Sequence, residues 1–215
     1  TKRKEILNLI ETTELNTIVI DIKDASGFVL YNSKVKDVVE MNTKHVRISD
    51  LGAVFKEFKA KGVYVIARQV VFLDPQLTGS KPELGVQSSQ GGLWHDYKEH
   101  AWADPTQQEV WDYNIKIAKE AISLGADEIN FDYVRFPSDG PMASAVYNNA
   151  STTRAANMKQ FYKYLGEELR DEPAWISIDF FGLSLDNAET GYDLGIGQRL
   201  IDAAPFVDYI YPMTY

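Results

Sequence analysis

No cysteine occurs among the 215 residues. This excludes disulfide frameworks, thiolate nucleophiles and cysteine-based metal sites, and leaves the compartment open. No apolar run reaches the roughly 20 residues that a membrane-spanning helix needs. No G-x-G-x-x-G or G-x-x-x-x-G-K motif follows a strand-like run, which weakens the case for a nucleotide-binding sheet. Positive charge is in deficit, with 22 Lys and Arg against 31 Asp and Glu, a net charge of -9. Nucleic acid and anionic membrane surfaces are therefore poor partners, and polyanionic glycans are mildly disfavoured. No signal peptide is visible. The chain opens inside an amphipathic stretch marked by Ile6, Leu9 and Ile10, as expected if an upstream segment has been removed.

What is present is apolar and aromatic. Hydrophobic residues make up 45% of the chain, enough for one sizeable core and one domain. Aromatic residues make up 12%, including 12 Tyr and 4 Trp. Most of these rings fill a core, and some suit platforms for a flat, uncharged ligand such as a sugar ring.

The apolar period alternates between helix and strand along the chain. Strand-like runs cover residues 16–24, 63–72, 126–134, 174–182 and 207–213. Helical stripes lie between them. One carries Leu51, Val54, Phe55 and Phe58. A second carries Val110, Trp111, Asn114, Ile117, Ala118, Ala121 and Ile122, with Asp104 expected as its N-cap and Pro105 in its first turn. A third, over residues 151–171, carries Met158, Phe161, Tyr162, Leu165 and Leu169. A shorter helix is expected near residues 196–204, and a long loop over residues 73–104. This βαβαβαβαβ series implies parallel strands with helices outside. Long polar and aromatic loops after the strands favour a (β/α)8 TIM barrel over a doubly wound sheet. Five βα units are visible, so residues 1–215 are expected to be a single barrel domain truncated at both ends. A natural five-stranded open sheet is the alternative.

Side chains alternate faces along a strand. Ile18, Ile20 and Ile22 oppose Val19, Asp21 and Lys23. Ile129, Phe131 and Tyr133 oppose Asn130 and Asp132. Ile176, Ile178 and Phe180 oppose Ser177 and Asp179. In all three strands the polar face reaches a carboxylate near the C-terminal end. An unpaired carboxylate is costly in a core, so one shared pocket at the barrel mouth is expected. The competing expectation pairs Asp21 and Asp179 with Lys23 or Arg68 in a core network. In the last strand Tyr209, Tyr211, Met213 and Tyr215 alternate, either as aromatic core or with hydroxyls near the mouth.

The stretches "NTIVIDIKDASG", "GVYVIARQVVF", "HAWADP", "GADEINFDYVRFP" and "YIYPMTY" carry a resemblance along nearly the whole chain. It resembles the putative glycoside hydrolase domain family found in bacterial cell-surface and secreted proteins. The resemblance implies an (α/β)8 barrel, a carbohydrate substrate and an extracellular or cell-surface location. "DEINFDYV" also looks like the fourth-strand D-x-x-D-x-D-x-E of family 18 chitinases. It places Asp127, Asn130 and Asp132 on that frame, with Val134 at the acid glutamate. Met213 and Tyr215 match the chitinase sixth-strand pattern. The missing glutamate argues against the substrate-assisted mechanism. The α-amylase-like barrels offer a looser likeness, with Asp132 at the nucleophile and Asp179 at the acid, and Asn130 where those enzymes carry arginine.

Glycoside hydrolysis usually needs two carboxyl groups flanking the bond. The expected catalytic residues are Asp132 as nucleophile or base, Asp179 as acid and Asp21 as runner-up acid. The expected substrate-binding residues are Lys23, Arg68, Trp94, Asn130, Tyr133, Arg135, Tyr211, Met213 and Tyr215. Arg68 or Arg135 is placed to tune Asp132 by charge. The loop over residues 91–105 carries Trp94, His95, Tyr97, His100 and Trp102, suited either to sugar stacking or to anchoring the loop through a small core of its own. His95, Asp96 and His100 match no strong zinc motif, so no metal and no cofactor is expected. The main competitor is a non-catalytic carbohydrate-binding barrel; a lyase or isomerase on a similar barrel is a third reading.

Overall fold

The computed structural model describes residues 2–149 and 152–214. In chain order the strands are β1 (Thr17–Lys23), β2 (Val29–Tyr31), β3 (Lys44–Ile48), β4 (Tyr64–Val70), β5 (Gln87–Ser88), β6 (Glu128–Asp132), β7 (Ala145–Val146), β8 (Trp175–Phe181) and β9 (Tyr209–Met213). The helices are α1 (Lys2–Thr12), α2 (Lys36–Glu40), α3 (Leu51–Lys59), α4 (Pro75–Ser80), α5 (Gln108–Ser123), α6 (Arg154–Leu169), α7 (Leu183–Asp186) and α8 (Leu200–Ala203).

Seven strands form one sheet in the order β3-β2-β1-β4-β6-β8-β9. From β1 to β9 every neighbouring pair is parallel, and each strand lies beside the one before it. This is the mixed α/β order of a TIM barrel, here an open arc: among the described residues β3 and β9 do not pair. The expected strands are all present within a few residues. The sequence pattern did not mark β2 and β3, which cover the outer edge of β1. The antiparallel β5–β7 ribbon ties the loop after β4 to the loop after β6.

The helical stripes meet the sheet as their spacing requires. Val110, Ile117, Ala118, Ala121 and Ile122 of α5 are buried, as are Met158, Phe161, Tyr162, Leu165 and Leu169 of α6. On the sheet they meet Ile129, Phe131, Ile176, Ile178 and Phe180, all buried. Each such large side chain contributes about 1.5–3 kcal/mol on removal from water. Helix starts are capped at α3, where Asp50 accepts from the Ala53 N–H at 2.8 Å, and at α6, where Thr153 accepts from Ala156 at 3.2 Å. Asp104 does not cap α5, whose N-cap is Gln107. The Asp104 carboxylate accepts instead from the Thr106 N–H at 2.9 Å and the Asn148 N–H at 2.6 Å, joining the turn before α5 to the loop after β7.

Candidate active site

The strand alternation brings a column of polar side chains onto the inner face of the arc. At its base lies Glu128, fully buried, which accepts three hydroxyl hydrogen bonds. Tyr64 and Tyr211 donate to it at 2.9 Å each, and Ser177 at 2.6 Å. Burial and these bonds to a carboxylate push both phenols above the ordinary tyrosine range. One layer up, the Asn130 amide donates to the Ser177 hydroxyl at 3.1 Å and to Asp179 Oδ1 at 3.0 Å.

The top layer surrounds Arg68. Its guanidinium donates to Asp21 Oδ1 at 2.8 Å and to the Asp132 carboxylate, and its Nε lies 4.0 Å from Asp179 Oδ2. The register explains the gathering. Asp21 pairs with Arg68 across β1–β4, and Arg68 pairs with Asn130 across β4–β6. Asp132 and Asp179 each follow the paired Phe131 and Ile178 by one residue. Burial would depress the Arg68 pKa, but the hydrogen bonds and charges of Asp21 and Asp132 raise it on balance.

Asp179 behaves differently from a solvated carboxyl. Burial pushes its pKa up, the Asn130 hydrogen bond opposes that, and the charge of Asp132 adds to the rise, so that it reaches about 6. Three acidic groups share one guanidinium here, and Asp179, which lies 4.0 Å from it without a hydrogen bond, carries the proton most readily. The end of β8 is fixed by Gln198, buried, whose amide donates to the backbone oxygens of Val134 and Asp179 and whose oxygen accepts from the Phe181 N–H.

After β6 the chain turns sharply. Tyr133 has φ +54°, a left-handed conformation uncommon for a bulky residue. Such strain persists where the surroundings over-determine it. Here the Tyr133 N–H donates to Asp132 Oδ1 at 2.6 Å, orienting that carboxylate. A cavity of about 170 Å³ opens beside the cluster, lined by Arg68, Asp132, Tyr133, Arg135, Phe181 and Met213. A larger hollow of about 530 Å³ lies at the opposite strand ends, around Trp175 and Phe206, away from the carboxylates.

The profile of a family described as "Putative glycosyl hydrolase domain" matches residues 1–215. The chain belongs to this family. Among solved structures, a hypothetical protein from Ruminiclostridium thermocellum is 36% identical with a TM-score of 0.76, over 82% of this chain and 90% of that one. An α-galactosidase from Thermus thermophilus in complex with stachyose is 13% identical with a TM-score of 0.61, over 96% of this chain and 38% of that one. A GH20 exo-β-N-acetylglucosaminidase from Vibrio harveyi in complex with N-acetylglucosamine is 12% identical with a TM-score of 0.62, over 98% of this chain and 38% of that one. At that identity the last two bear on the fold alone. Among curated proteins none matches.

Within the glycosyl hydrolase domain, Asp21, Arg68, Asn130, Asp132 and Asp179 gather as the alternation expects, and Tyr133, Arg135 and Met213 line the cavity beside them. Tyr215 lies outside the described residues. Three expectations change. Lys23 does not share the face of Asp21. The β1 register shifts between them, so that Asp21 pairs with Arg68 but Lys23 with the adjacent Gln69. The bulge sends Lys23 to the helix side, where it is sealed from solvent and ion-paired with Asp74 at 2.7 Å. Trp94 is no stacking platform. It is 1% exposed, its indole donates to the Pro141 oxygen at 3.1 Å, and it packs on Gly140. Tyr211 spends its hydroxyl on Glu128 at the base of the column rather than at the mouth.

Glu128 is the residue that sequence reasoning passed over. It shares the alternation of Asn130 and Asp132, and that signal was available. Asp127 is structural, ion-paired with Lys59 at 2.6 Å and accepting from the Val65 N–H at 2.9 Å. Val134 is fully buried, so no acid stands at the chitinase position. Asp96 is engaged by the Lys98 and His100 N–H groups and the Trp102 indole.

Proposed function

We propose that this domain hydrolyses a glycosidic bond of a bacterial cell-wall or extracellular polysaccharide, with Asp179 as general acid and Asp132 as nucleophile or base. One observation carries the assignment: Asp179 has its pKa pushed up to about 6 beside Asp132, whose carboxylate accepts from Arg68 and the Tyr133 N–H. Two carboxyls in one site with unlike environments divide the work of acid and base. Asp179 gives its proton to the glycosidic oxygen as the C–O bond breaks, and the alcohol leaves. Asp132 then either bonds to the anomeric carbon, to be displaced by water, or takes a proton from the water that attacks it. Asp21 is half exposed and shares Arg68, so it anchors the guanidinium rather than acting as the acid. An extracellular or cell-surface location goes with this reading.

The test is reducing-end release from a panel of bacterial wall and exopolysaccharides by the parent protein, alongside Asp132→Asn and Asp179→Asn. NMR of the first-formed anomer then separates retention from inversion. Release that persists at the parental rate in Asp132→Asn would sink the assignment. The binding-only reading draws on the partly exposed rings of Trp175, Tyr209 and Tyr211 on the inner face, the two tyrosines stacked at 6.3 Å. Saturable glycan binding without release of reducing ends from any polysaccharide would favour it.

A further inference from the structure

Arg135 is a second guanidinium at the cavity, and it is built unlike Arg68. Its central carbon lies 4.9 Å from the Trp102 ring, 4.9 Å from Phe181 and 5.3 Å from Tyr133. Three rings from three segments therefore hold the plane of one cation. Nη1 donates to the Phe136 oxygen at 3.1 Å and the Ser138 hydroxyl at 3.2 Å. Among the described residues no carboxylate comes within ion-pair distance of it. Of the nearby acids, Asp132 is committed to Arg68 and the Tyr133 N–H, Asp96 to the loop after β5, and Asp139 is exposed and beyond ion-pair distance. Burial pulls the Arg135 pKa down, and the more distant charges of Tyr133, Asp132, Asp96 and Asp139 oppose that without cancelling it.

A partly desolvated cation without a counter-ion is costly, and the cost is recovered when an anion arrives. Arg135 shares its cavity with Asp132, so an anion there would sit beside the scissile bond of the proposed reaction. We infer that Arg135 is a specificity determinant for an acidic sugar: a glycan bearing an anionic substituent, a uronate carboxylate or a sulfate ester, next to the bond that is cut. The inference rests on the glycosidase reading. The net charge of -9 opposes long polyanions at a distance but not one anion in this cavity, where Arg68 and Arg135 face Asp132. A planar fork between aromatic walls meets two oxygens of one group in a fixed geometry.

The experiment uses the full chain and follows the Trp102 indole resonance by NMR. The probes are D-glucuronate, D-galacturonate and D-glucose 6-sulfate against D-glucose and D-galactose. Acidic probes should bind about tenfold tighter than neutral ones, the worth of one charge-assisted contact. The carboxylate and sulfate arms identify the substituent. Arg135→Gln should bring the ratio of acidic to neutral affinity close to one. Arg135→Lys, which keeps the charge without the fork, should lower it severalfold, and it serves if the glutamine variant does not fold. Equal affinities in the parent, or a preference that survives both variants, overturns the inference. Reducing-end release from neutral polysaccharides with no acidic preference overturns it and leaves the hydrolase reading standing. No binding of any probe, together with no release from any polysaccharide, overturns both.

Discussion

The two faces of the sheet each hold a cation beside carboxylate, and they are organised oppositely. On the helix side Lys23 meets one acid, Asp74, with both side chains wholly sealed. Its remaining protons go to the Val70 oxygen at 2.8 Å and Asn114 Oδ1 at 3.3 Å, while Gln69 closes the network by donating to Asn114. Asp74 in turn caps α4 by accepting from the Leu77 N–H at 2.9 Å. Cation and anion match one to one, and every partner has a structural task. On the inner face Arg68 meets Asp21, Asp132 and Asp179, and the cluster opens onto a cavity. One positive charge among three acids cannot satisfy them all. The surplus becomes a carboxyl that holds its proton to about pH 6. Balance makes scaffold, and imbalance makes chemistry.

The strongest way to break this contrast is at the sealed pair. Lys23→Met leaves Asp74 buried and unpaired, and stability should fall by about 3–5 kcal/mol in urea titration. Replacing both partners with Met and Leu should restore most of the loss. A loss equal in the single and double variants would show that the pair is not the source.

Asp132→Asn tests the other face. Turnover on a responsive glycan should drop about thousandfold, near 4 kcal/mol of barrier, with a far smaller change in the urea midpoint than Lys23→Met gives. Similar losses of stability on the two faces would erase the distinction.

The Asp179 proton gives a pH signature. The folded pKa is about 6 and the ordinary aspartate value 3.8, so between these values the folded state holds the proton more tightly than the unfolded state. Its contribution to stability is therefore fully present below about pH 4, falls as pH rises to 6, and is flat above. Asp179→Asn should remove this fall and gain at most about 3 kcal/mol at pH 7. In the parent, kcat/KM should decline about tenfold per pH unit above 6, as the acid loses its proton. A decline that the asparagine variant retains would place the acid elsewhere.

The smallest effect concerns the loop floor. Gly140 has φ +144°, and a Cβ there would come within 2.5 Å of the Trp94 ring. Gly140→Ala should cost about 1–3 kcal/mol, read as a lowered thermal midpoint.

The barrel order was legible because helix and strand periods differ and five apolar runs are long. β2 and β3 were not, since β2 has three residues and both lie in a stretch without sustained alternation. The pocket carboxylates were legible because each strand obeys a period of two. Lys23 was not, because a bulge breaks that period without any marker residue. Trp94 looked equally suited to stacking and anchoring, and only the contact with Gly140 and Pro141 decides it. Arg135 stood out by type, but its aromatic cage joins residues 102, 133 and 181, a proximity no local pattern records.

The bulge in β1 puts both polar systems on one strand, half a repeat out of phase. Substitutions at Asp21 and Lys23 therefore act on opposite faces and are separable. A one-codon deletion between them would remove the surplus residue, Ile22. The ladder would then be regular, with the lysine directly after Asp21 and still beside Gln69 on the helix face, in reach of Asp74. The bulge thus holds one residue of surplus length, and that surplus lets an aspartate and a lysine two positions apart serve opposite faces.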